Sequence, residues 1–256
     1  NNTSRGVLLF GGTGTSLRGN RIDANGSLGI DNYDTVLVDT NDALDADVGT
    51  NGRQNFPAVL SSTIFSGNLL QVQGTLDSKP NTQYYIDAYA NTSCDALNHG
   101  EGDVYVGSNM LTTDGNGHLN YSILVPAVPG KSVITTTATG PEGTSEFSQC
   151  RTAVPESVTI SGYVRRGTGP GASALANVTM TLSGDASATT VTDAMGYYEF
   201  GNLVQDSVIA LGAGRRGDAL TSGGNYTVTP SLAGFVFTPS SRSYLNLVAD
   251  QANQDF

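Results

Sequence analysis

The sequence lacks most of the residues and patterns that mark enzymes, membrane-spanning proteins and helical proteins. It contains no Trp, two His and two Lys in 256 residues, and charged residues make up only 14%. No run of about 18 apolar residues occurs, which excludes a membrane-spanning helix. No window keeps a 3.6-residue apolar period, and no GxSxG, HExxH or phosphate-binding glycine motif is present. These absences disfavour helical folds and the enzyme classes that carry those motifs.

The residues available for acid-base chemistry are few. His99 and His118 each lie beside glycine in a predicted turn, so we expect solvated turn residues rather than catalytic groups. Carboxylate pairs such as Glu101 and Asp103 are the remaining candidates for a secreted hydrolase. The sequence therefore predicts a protein without enzymatic activity, and a hydrolase with an unrecognised carboxylate pair is the weaker alternative.

The aromatic residues offer little support for sugar binding. Without Trp, a stacking platform has to use Tyr or Phe, and Tyr84, Tyr85 and Tyr89 fall on one predicted strand. We expect them to be core and surface residues of a sandwich. A concave surface lined by Tyr with nearby carboxylates is the arrangement that would favour a glycan partner.

The net charge of −11 is spread along the chain. Residues 1–55 hold four basic and seven acidic residues, residues 56–155 hold three and eight, and residues 156–256 hold five and eight. An acidic chain without a basic stripe repels phosphate backbones. Nucleic acid is therefore not expected as a partner.

What the sequence does contain is typical of all-β proteins. Gly, Thr, Ser and Asn are abundant, and short apolar segments alternate with turn signals. A chain of 256 residues holds about one to two ordinary domains, or three small sandwiches. The chain begins at Asn1 rather than Met, which we interpret as typical of a processed or excised product.

Residues 6–30 resemble one coil of a parallel β-helix. Three short strands separated by Gly/Thr and Asn-Gly turns are predicted, at Val7–Phe10, Leu17–Ile22 and Leu28–Ile30. Such coils bury their cores by stacking, and about three are needed for a stable array. One coil therefore predicts an open apolar face that needs a partner.

The first strand of this coil is the predicted subunit contact. Its apolar residues are Val7, Leu8, Leu9 and Phe10. Burying four such side chains is worth roughly 6–10 kcal/mol, and an exposed strand edge also leaves backbone groups unpaired. We expect copies of the same chain to cover this strand, by strand addition or head-to-tail stacking.

The segment between Asp31 and Asn55 is rich in aspartate. Asp39, Asp42, Asp45 and Asp47 lie within nine residues. Crowded carboxylates repel one another unless a cation neutralises them, and oxygen ligands suit Ca²⁺. The spacing is not that of an EF-hand. The segment is either a calcium site formed by these four residues or a solvated acidic connector.

Residues 56–152 carry the pattern of a seven-stranded sandwich. Glycine, proline and asparagine turns separate apolar runs at Ala58–Phe65, Leu69–Leu76, Gln83–Ala90, Val104–Leu111, Leu119–Val125, Val133–Ala138 and Ser145–Cys150. Seven strands in about 100 residues favour an immunoglobulin-like fold. The two cysteines, Cys94 and Cys150, form either a single disulfide, which the secreted-type composition favours, or two buried thiols.

The last hundred residues form a further predicted sandwich. Strands are predicted at Val158–Arg165, Val178–Leu182, Ala188–Thr192, Tyr197–Phe200, Tyr226–Pro230, Phe235–Thr238 and Tyr244–Val248. An Asp-x-x-Gly turn at Asp193–Gly196 separates two of them, and aromatic residues alternate after it.

Two resemblances add to this interpretation. The first lies in the run from Gly19-Asn20 through Gly29-Ile30-Asp31, then in Asn41-Asp42-Ala43, Asp45-Ala46-Asp47, Asn51-Gly52, Gln54-Asn55-Phe56-Pro57, Cys94, Gly100-Glu101-Gly102 and Thr144–Cys150. These residues resemble bacterial secreted surface proteins in which parallel β-helix repeats lead into a disulfide-bonded immunoglobulin-like domain. The resemblance covers residues 6–152. It implies a secreted, cell-surface protein, although those proteins usually carry many coils.

The second resemblance is carried by the Asp193–Phe200 segment, Gly224-Asn225-Tyr226, Gly234-Phe235 and Asp255-Phe256. It is a resemblance to the carboxypeptidase-regulatory-like and collagen-adhesin B-type sandwiches, which serve as stalk modules. Adhesin modules of this kind often carry a Lys-Asn cross-link, and this segment has no Lys. Residues 204–223 are an insertion relative to that pattern, either a covering loop or a contact surface.

Together these observations predict an all-β chain with a β-helix-like N-terminal coil followed by two β-sandwich domains. The predicted domains are residues 1–55, 56–153 and 154–256. The predicted function is a structural subunit of an extracellular filament or layer that is joined through its N-terminal strand. The alternative is a carbohydrate- or host-binding adhesin module of a larger secreted protein.

Overall fold

The computed structural model describes residues 2–32, 38–66, 68–201, 216–217 and 220–256, and for residues 216–217 it describes the backbone. The chain divides into two compact units, Asn1–Val154 and Pro155–Phe256. In the described residues, both units consist of β-strands and turns with a few short 3-10 segments, so the predicted all-β class is confirmed. Among the described residues, no helix has the length and apolar character needed to cross a bilayer.

The first unit is built from short N-terminal strands and the longer strands of a sandwich. Its strands, up to the boundary with the second unit, are β1 (Val7–Leu8), β2 (Ile30–Asp31), β3 (Ala58–Phe65), β4 (Leu69–Asp77), β5 (Gln83–Asn91), β6 (Val104–Thr112), β7 (His118–Pro126), β8 (Val133–Gly140), β9 (Gly143–Thr144), β10 (Arg151–Thr152) and β11 (Val154–Pro155). Two 3-10 segments, Ala43–Asp45 and Thr50–Arg53, precede β3.

Two antiparallel sheets form the sandwich of this unit. One has the order β10-β8-β5-β6 with β9 beside β8, and the other has the order β11-β3-β4-β7. Alternate residues of β4 point inward, so Leu70 and Val72 are buried while Gln71 and Gln73, which each follow one of them, are not. They share one hydrophobic core with Ile86 of β5 from the opposite sheet.

Six of the seven strands predicted between residues 56 and 152 are present as β3 to β8, with ends that differ by at most two residues. The predicted strand Ser145–Cys150 is wrong. The Ser145 and Ser148 hydroxyl oxygens accept the N–H groups of Ala138 and Thr136 of β8, at 3.0 and 2.9 Å. Side-chain hydroxyls thus replace part of the backbone ladder, which leaves this segment irregular.

The N-terminal segment, residues 2–55, belongs to the same compact unit as the sandwich. Strands β1 and β2 pair in parallel, with Val7 opposite Ile30, an offset of 23 residues. A ladder of two residue pairs is too short to establish a β-helix. The strand predicted at Leu17–Ile22 is wrong, because this part of the segment makes isolated bridges, Thr15 to Gly143 and Ile22 to Gly102.

A disulfide joins Cys94, in the loop after β5, to Cys150, just before β10. Their Cα atoms are 6.0 Å apart, within the ordinary range for a disulfide. The bridge ties the loop at residues 94–102 to the irregular segment 145–150.

The second unit has its own strands and its own core. Its strands are β12 (Ser157–Val158), β13 (Ile160–Tyr163), β14 (Arg165–Arg166), β15 (Ser173–Ala174), β16 (Thr179–Gly184), β17 (Ala188–Val191), β18 (Tyr197–Phe200), β19 (Arg216–Gly217), β20 (Leu220–Thr221), β21 (Gly224–Ser231) and β22 (Arg242–Leu247), with a 3-10 segment at Gly169–Gly171. The largest sheet has the order β19-β17-β16-β21-β22. The strand pairs β12-β20 and β13-β18 share a hydrophobic core with it.

The turn predicted between two strands of this unit has a clear physical basis. The Asp193 carboxylate accepts the N–H groups of Met195 and Tyr197, each at 2.8 Å, and Gly196 has a φ of 75°. The predicted strand Phe235–Thr238 is wrong, because Gly234 turns the chain on one side and Pro239 lacks a donor on the other. Most of the 204–223 insertion lies outside the described residues.

Candidate functional site

Three of the four aspartates predicted to bind calcium lie together. Carboxylate oxygens of Asp42, Asp45 and Asp47, hereafter the Asp cluster, lie within 4.8 Å of one another. Asp45 ends the 3-10 segment Ala43–Asp45, and Asp42 and Asp47 flank it; the backbone is left-handed at Leu44 and Asp45, with φ of 62° and 52°. This sharp turn brings residues that are close in sequence to one side of the loop.

The Asp cluster is only partly neutralised by other groups. The Asp45 carboxylate is fully buried and accepts the Asn55 N–H at 2.9 Å and the Ser78 hydroxyl at 2.7 Å. Burial raises the pKa of Asp45 to about 6, although these hydrogen bonds oppose the shift. Burial and the charge of Asp42 raise the pKa of Asp47, whose carboxylate lies 3.8 Å from the Arg53 guanidinium. A cation at this place would offset the repulsion between these carboxylates.

Asp39 lies elsewhere, beside a buried glutamate. The two oxygens of Glu146 accept the N–H groups of Asn32 and Asp39, at 3.1 and 3.0 Å. Glu146 is only 2% exposed. The Glu146 carboxylate therefore holds the backbone of the N-terminal segment against the sandwich at Asn32 and at Asp39.

Asn51 is a second buried polar contact between the N-terminal segment and the sandwich. Its side-chain oxygen accepts the Thr15 N–H at 3.0 Å, and its amide donates to the carbonyls of Thr15 and Thr144 at 2.9 and 3.0 Å. A Cβ at Gly143 would lie 2.3 Å from the Asn51 side chain, so only glycine fits there. With Asn51 fully buried, these bonds are shielded from water.

An apolar cluster completes the contact. Ile22 and Ile30 of the N-terminal segment pack with Tyr89 and Phe147 of the sandwich, and all four are at most 8% exposed. The rings of Tyr89 and Phe147 meet edge to face at 5.3 Å. A Cβ at Gly29 would lie 2.9 Å from the Phe147 ring, so this close approach requires glycine.

Ion pairs surround this apolar cluster. Arg18 makes two hydrogen bonds to the buried carboxylate of Asp87, at 2.8 and 3.1 Å. Arg21 contacts Asp103 at 2.9 Å, and Lys131 pairs with the same carboxylate. A bidentate guanidinium–carboxylate pair with one partner buried is geometrically specific. The N-terminal segment thus docks on its own sandwich in one defined register.

The four residues of the predicted subunit contact do not share one environment: some contact the rest of the first unit and others are exposed to solvent. Val7 packs against the apolar cluster, and the Leu9 N–H donates to the Asp31 carbonyl at 2.9 Å. Leu8 and Phe10 are 43% and 75% exposed. The sandwich of the same chain therefore buries part of the apolar surface of the N-terminal segment. Of the four predicted contact residues, Leu8 and Phe10 have the exposed side chains.

The candidate acid-base residues have structural roles. The expectation of a solvated His99 is wrong: it is 6% exposed, and its Nδ1 lies 2.9 Å from the Phe147 carbonyl. His118 is the first residue of β7 and pairs with Asp77 at 2.6 Å, and that contact raises its pKa. The Glu101 carboxylate accepts the N–H groups of residues 24 and 25 at 2.8 and 2.9 Å, which holds the N-terminal segment.

The three tyrosines considered for glycan binding offer little stacking surface. Tyr84 and Tyr89 are each 1% exposed. Tyr85 is 38% exposed, but the Arg18 guanidinium lies 3.7 Å above its ring. Arg18 is itself held by its ion pair to Asp87, so it covers one ring face with a fixed charge.

Glu146, Asn51 and Phe147 were not identified from the sequence as site residues. Their partners lie far away in the chain: Glu146 and Asn32 are 114 residues apart, and Asn51 and Thr144 are 93 apart. Glu146 and Phe147 belong to the Thr144–Cys150 segment that carries the first resemblance, and Asn51 belongs to the Asn51-Gly52 pair of the same resemblance, which is the signal that was available.

Stability of the first unit is expected to rise as the pH falls from about 8 to about 5. Burial raises the pKa of Glu146 from 4.5 to about 7, and the charges of Asp39 and Asp31 add to the rise. A raised pKa in the folded state stabilises the fold fully below the ordinary value and loses that contribution as pH rises through about 7. Urea unfolding at both pH values measures this slope.

Glu146→Gln is expected to reduce the difference in unfolding free energy between about pH 5 and about pH 8 by up to about 3 kcal/mol. Glu142→Gln is the matched control, since Glu142 is a half-exposed carboxylate of the same unit. A slope that is unchanged in Glu146→Gln contradicts the assigned burial.

Comparisons with known proteins do not place the chain in a family. No family model matches it, and no curated protein sequence matches it. Among solved structures, it is similar to the minor pilin GBS52 of Streptococcus agalactiae, with 10% identity, coverage of 69% of this chain and 82% of the pilin, and a TM-score of 0.28.

Two further solved structures show similar values. The group B streptococcus pilus 2b backbone protein has 11% identity, coverage of 78% of this chain and 97% of the other, and a TM-score of 0.29. The major pilin SpaD of Corynebacterium diphtheriae has 8% identity, coverage of 79% and 66%, and a TM-score of 0.28. At these TM-scores the superpositions establish neither a shared family nor a shared function.

Proposed function

We propose that this chain is a non-catalytic structural subunit of an extracellular or cell-surface assembly, joined to neighbouring copies through its N-terminal strand. The observation that carries the proposal is the state of β1. One edge of β1 pairs with β2, and no strand in the described part of the chain pairs with its other edge. Leu8 of β1 and Phe10, two residues further along the chain, have exposed apolar side chains.

The docking of the N-terminal segment supports this proposal. Buried contacts of Asn51, Glu146 and Phe147 fix the segment on the sandwich, so β1 is held in place before any partner arrives. A preorganised edge loses less conformational entropy on association than a free strand. Strand addition supplies backbone hydrogen bonds, and Leu8 and Phe10 supply apolar area.

The finer division of the chain belongs to the same proposal. Residues 1–55 are a coil and connector, residues 56–153 an immunoglobulin-like sandwich with one disulfide, and residues 154–256 a carboxypeptidase-regulatory-like sandwich. The extracellular location is in keeping with the Cys94–Cys150 disulfide, since such bridges persist in oxidising compartments.

Replacing Leu8 by aspartate tests the function. Multi-angle light scattering across a concentration series is expected to show self-association of the wild-type chain, weakened about a hundredfold or more in Leu8→Asp, since a charge would be buried in the contact. Leu124→Asp is the control, because Leu124 is 60% exposed on β7 of the same unit. A wild-type chain that stays monomeric at every concentration contradicts the proposal.

We also propose that the Asp cluster binds Ca²⁺. Three carboxylates whose oxygens lie within 4.8 Å of one another support a cation at this place. The ion would be held by Asp42, Asp45 and Asp47 and would offset their mutual repulsion. Asp39, the fourth residue predicted to be a ligand, contacts Glu146 through its backbone.

Chelation is expected to lower the melting temperature of the first unit by about 3–8 °C relative to saturating Ca²⁺. Asp47→Asn should remove most of this difference, whereas Asp23→Asn, outside the Asp cluster, should keep it. Differential scanning calorimetry measures both melting temperatures, starting from protein that has been shown to be metal-free. Equal melting temperatures with and without Ca²⁺ would refute the site.

A further inference from the structure

The second unit contains a basic cleft, a hollow of about 470 Å³ between the loop after β14 and the loop before β22. Its lining includes Arg165, Arg166, Phe235, Val236, Arg242 and Asp255. The three arginines are all those of this unit whose side chains the structure describes. The positive charge that the structure describes in this acidic unit is therefore concentrated in one place.

The guanidinium groups of Arg165 and Arg166 are available for an anionic partner, whereas Arg242 is held by the Asp255 backbone. Among the described residues, no carboxylate lies within 4.0 Å of Arg165, Arg166 or Arg242. Arg242 donates to the backbone carbonyl of Asp255 at 2.7 and 3.1 Å. The carboxylate of Asp255 accepts the Tyr163 N–H at 2.9 Å. Guanidinium groups bind carboxylates by two parallel hydrogen bonds, so the cleft suits carboxylate ligands.

Exposed apolar side chains lie beside these charges. Val236 is 97% exposed and Phe235 is 38% exposed, with the Arg166 guanidinium 5.9 Å from the Phe235 ring centre. A small inorganic anion or an anionic sugar would pair with the arginines but leave Val236 in water. A protein surface that carries carboxylates and apolar side chains would cover both.

We propose that the basic cleft binds the acidic first unit of a second copy of this chain. Residues 1–154, the first unit, hold seven basic and fifteen acidic residues, a net charge of −8. Opposite charge on two different surfaces of one chain favours a head-to-tail contact, which repeats from copy to copy. The inference rests on the proposed function and names the surface that receives the neighbouring subunit.

The double substitution Arg165→Ala with Arg166→Ala tests the basic cleft in the full chain. Sedimentation velocity is expected to show self-association about tenfold weaker or more than in the wild type. Raising NaCl from about 50 to about 500 mM should weaken the wild-type contact and affect the double variant less. Arg151→Ala, an exposed arginine of the first unit, should stay within about twofold of the wild type.

The outcomes separate this inference from the proposed function. Association that survives the double substitution but is lost in Leu8→Asp overturns the role of the basic cleft alone. A monomeric wild-type chain overturns both. A heparin fragment that binds the wild type but not the double variant, with association unchanged, would assign the cleft to an anionic glycan and overturn the second copy as its occupant.

Discussion

Replacing Phe147 by alanine is expected to destabilise the first unit by about 3–5 kcal/mol. Phe147 is 2% exposed and packs on Ile22, Ile30 and Tyr89. Removing the ring leaves a cavity at the point where the N-terminal segment meets the sandwich. Urea unfolding followed by circular dichroism measures the loss.

The positions at which Phe147→Ala accelerates hydrogen exchange distinguish docking of the N-terminal segment from ordinary core packing. Amide hydrogen exchange in Phe147→Ala should accelerate at residues 22 and 102, which are bridged by backbone hydrogen bonds, more than at the core strand β4. Leu124→Ala, on the exposed side of β7, should change stability by no more than about 0.5 kcal/mol. Uniform acceleration across the sandwich would contradict a docking role for Phe147.

Removing the disulfide by the double substitution Cys94→Ser and Cys150→Ser is expected to cost about 4 kcal/mol. The bridge closes a loop of 56 residues, and its loss returns that entropy to the unfolded chain. The second unit contains no cysteine, so its unfolding transition serves as an internal control.

The disulfide should also matter for docking of the N-terminal segment. It holds the loop whose Glu101 accepts hydrogen bonds from residues 24 and 25. Faster exchange at those two amides is expected in the double serine variant. A stability loss below about 1 kcal/mol, or unchanged exchange at residues 24 and 25, would contradict this account.

Local sequence patterns were sufficient for most of the strands. Period-two alternation and turn residues gave β3 and β18 with their observed ends, Ala58–Phe65 and Tyr197–Phe200. These signals depend on neighbours within a few residues, and the Asp193 turn shows the physical reason, because its carboxylate bonds to N–H groups two and four residues ahead. Local chemistry and the final fold agree at these positions.

The docking of the N-terminal segment was not predictable in the same way. Glu146 and Asn51 act through partners about 90 to 115 residues away, and nothing in their local sequence specifies those partners. His99 was mistaken for a turn residue because its burial depends on the distant Phe147 carbonyl. Sequence spacing was sufficient to predict that Asp42, Asp45 and Asp47 lie together. It did not predict that Asp39 lies elsewhere, because its N–H donates to the distant Glu146 carboxylate.

The central claim is that copies of this chain associate through the open edge of β1. Amide hydrogen exchange of the wild-type chain at low and high concentration tests it directly. The account predicts that the protection of residues 7–10 against exchange rises with concentration. The protection of β6, an edge strand of the β10-β8-β5-β6 sheet, should stay unchanged. Concentration-independent exchange at residues 7–10 would contradict it.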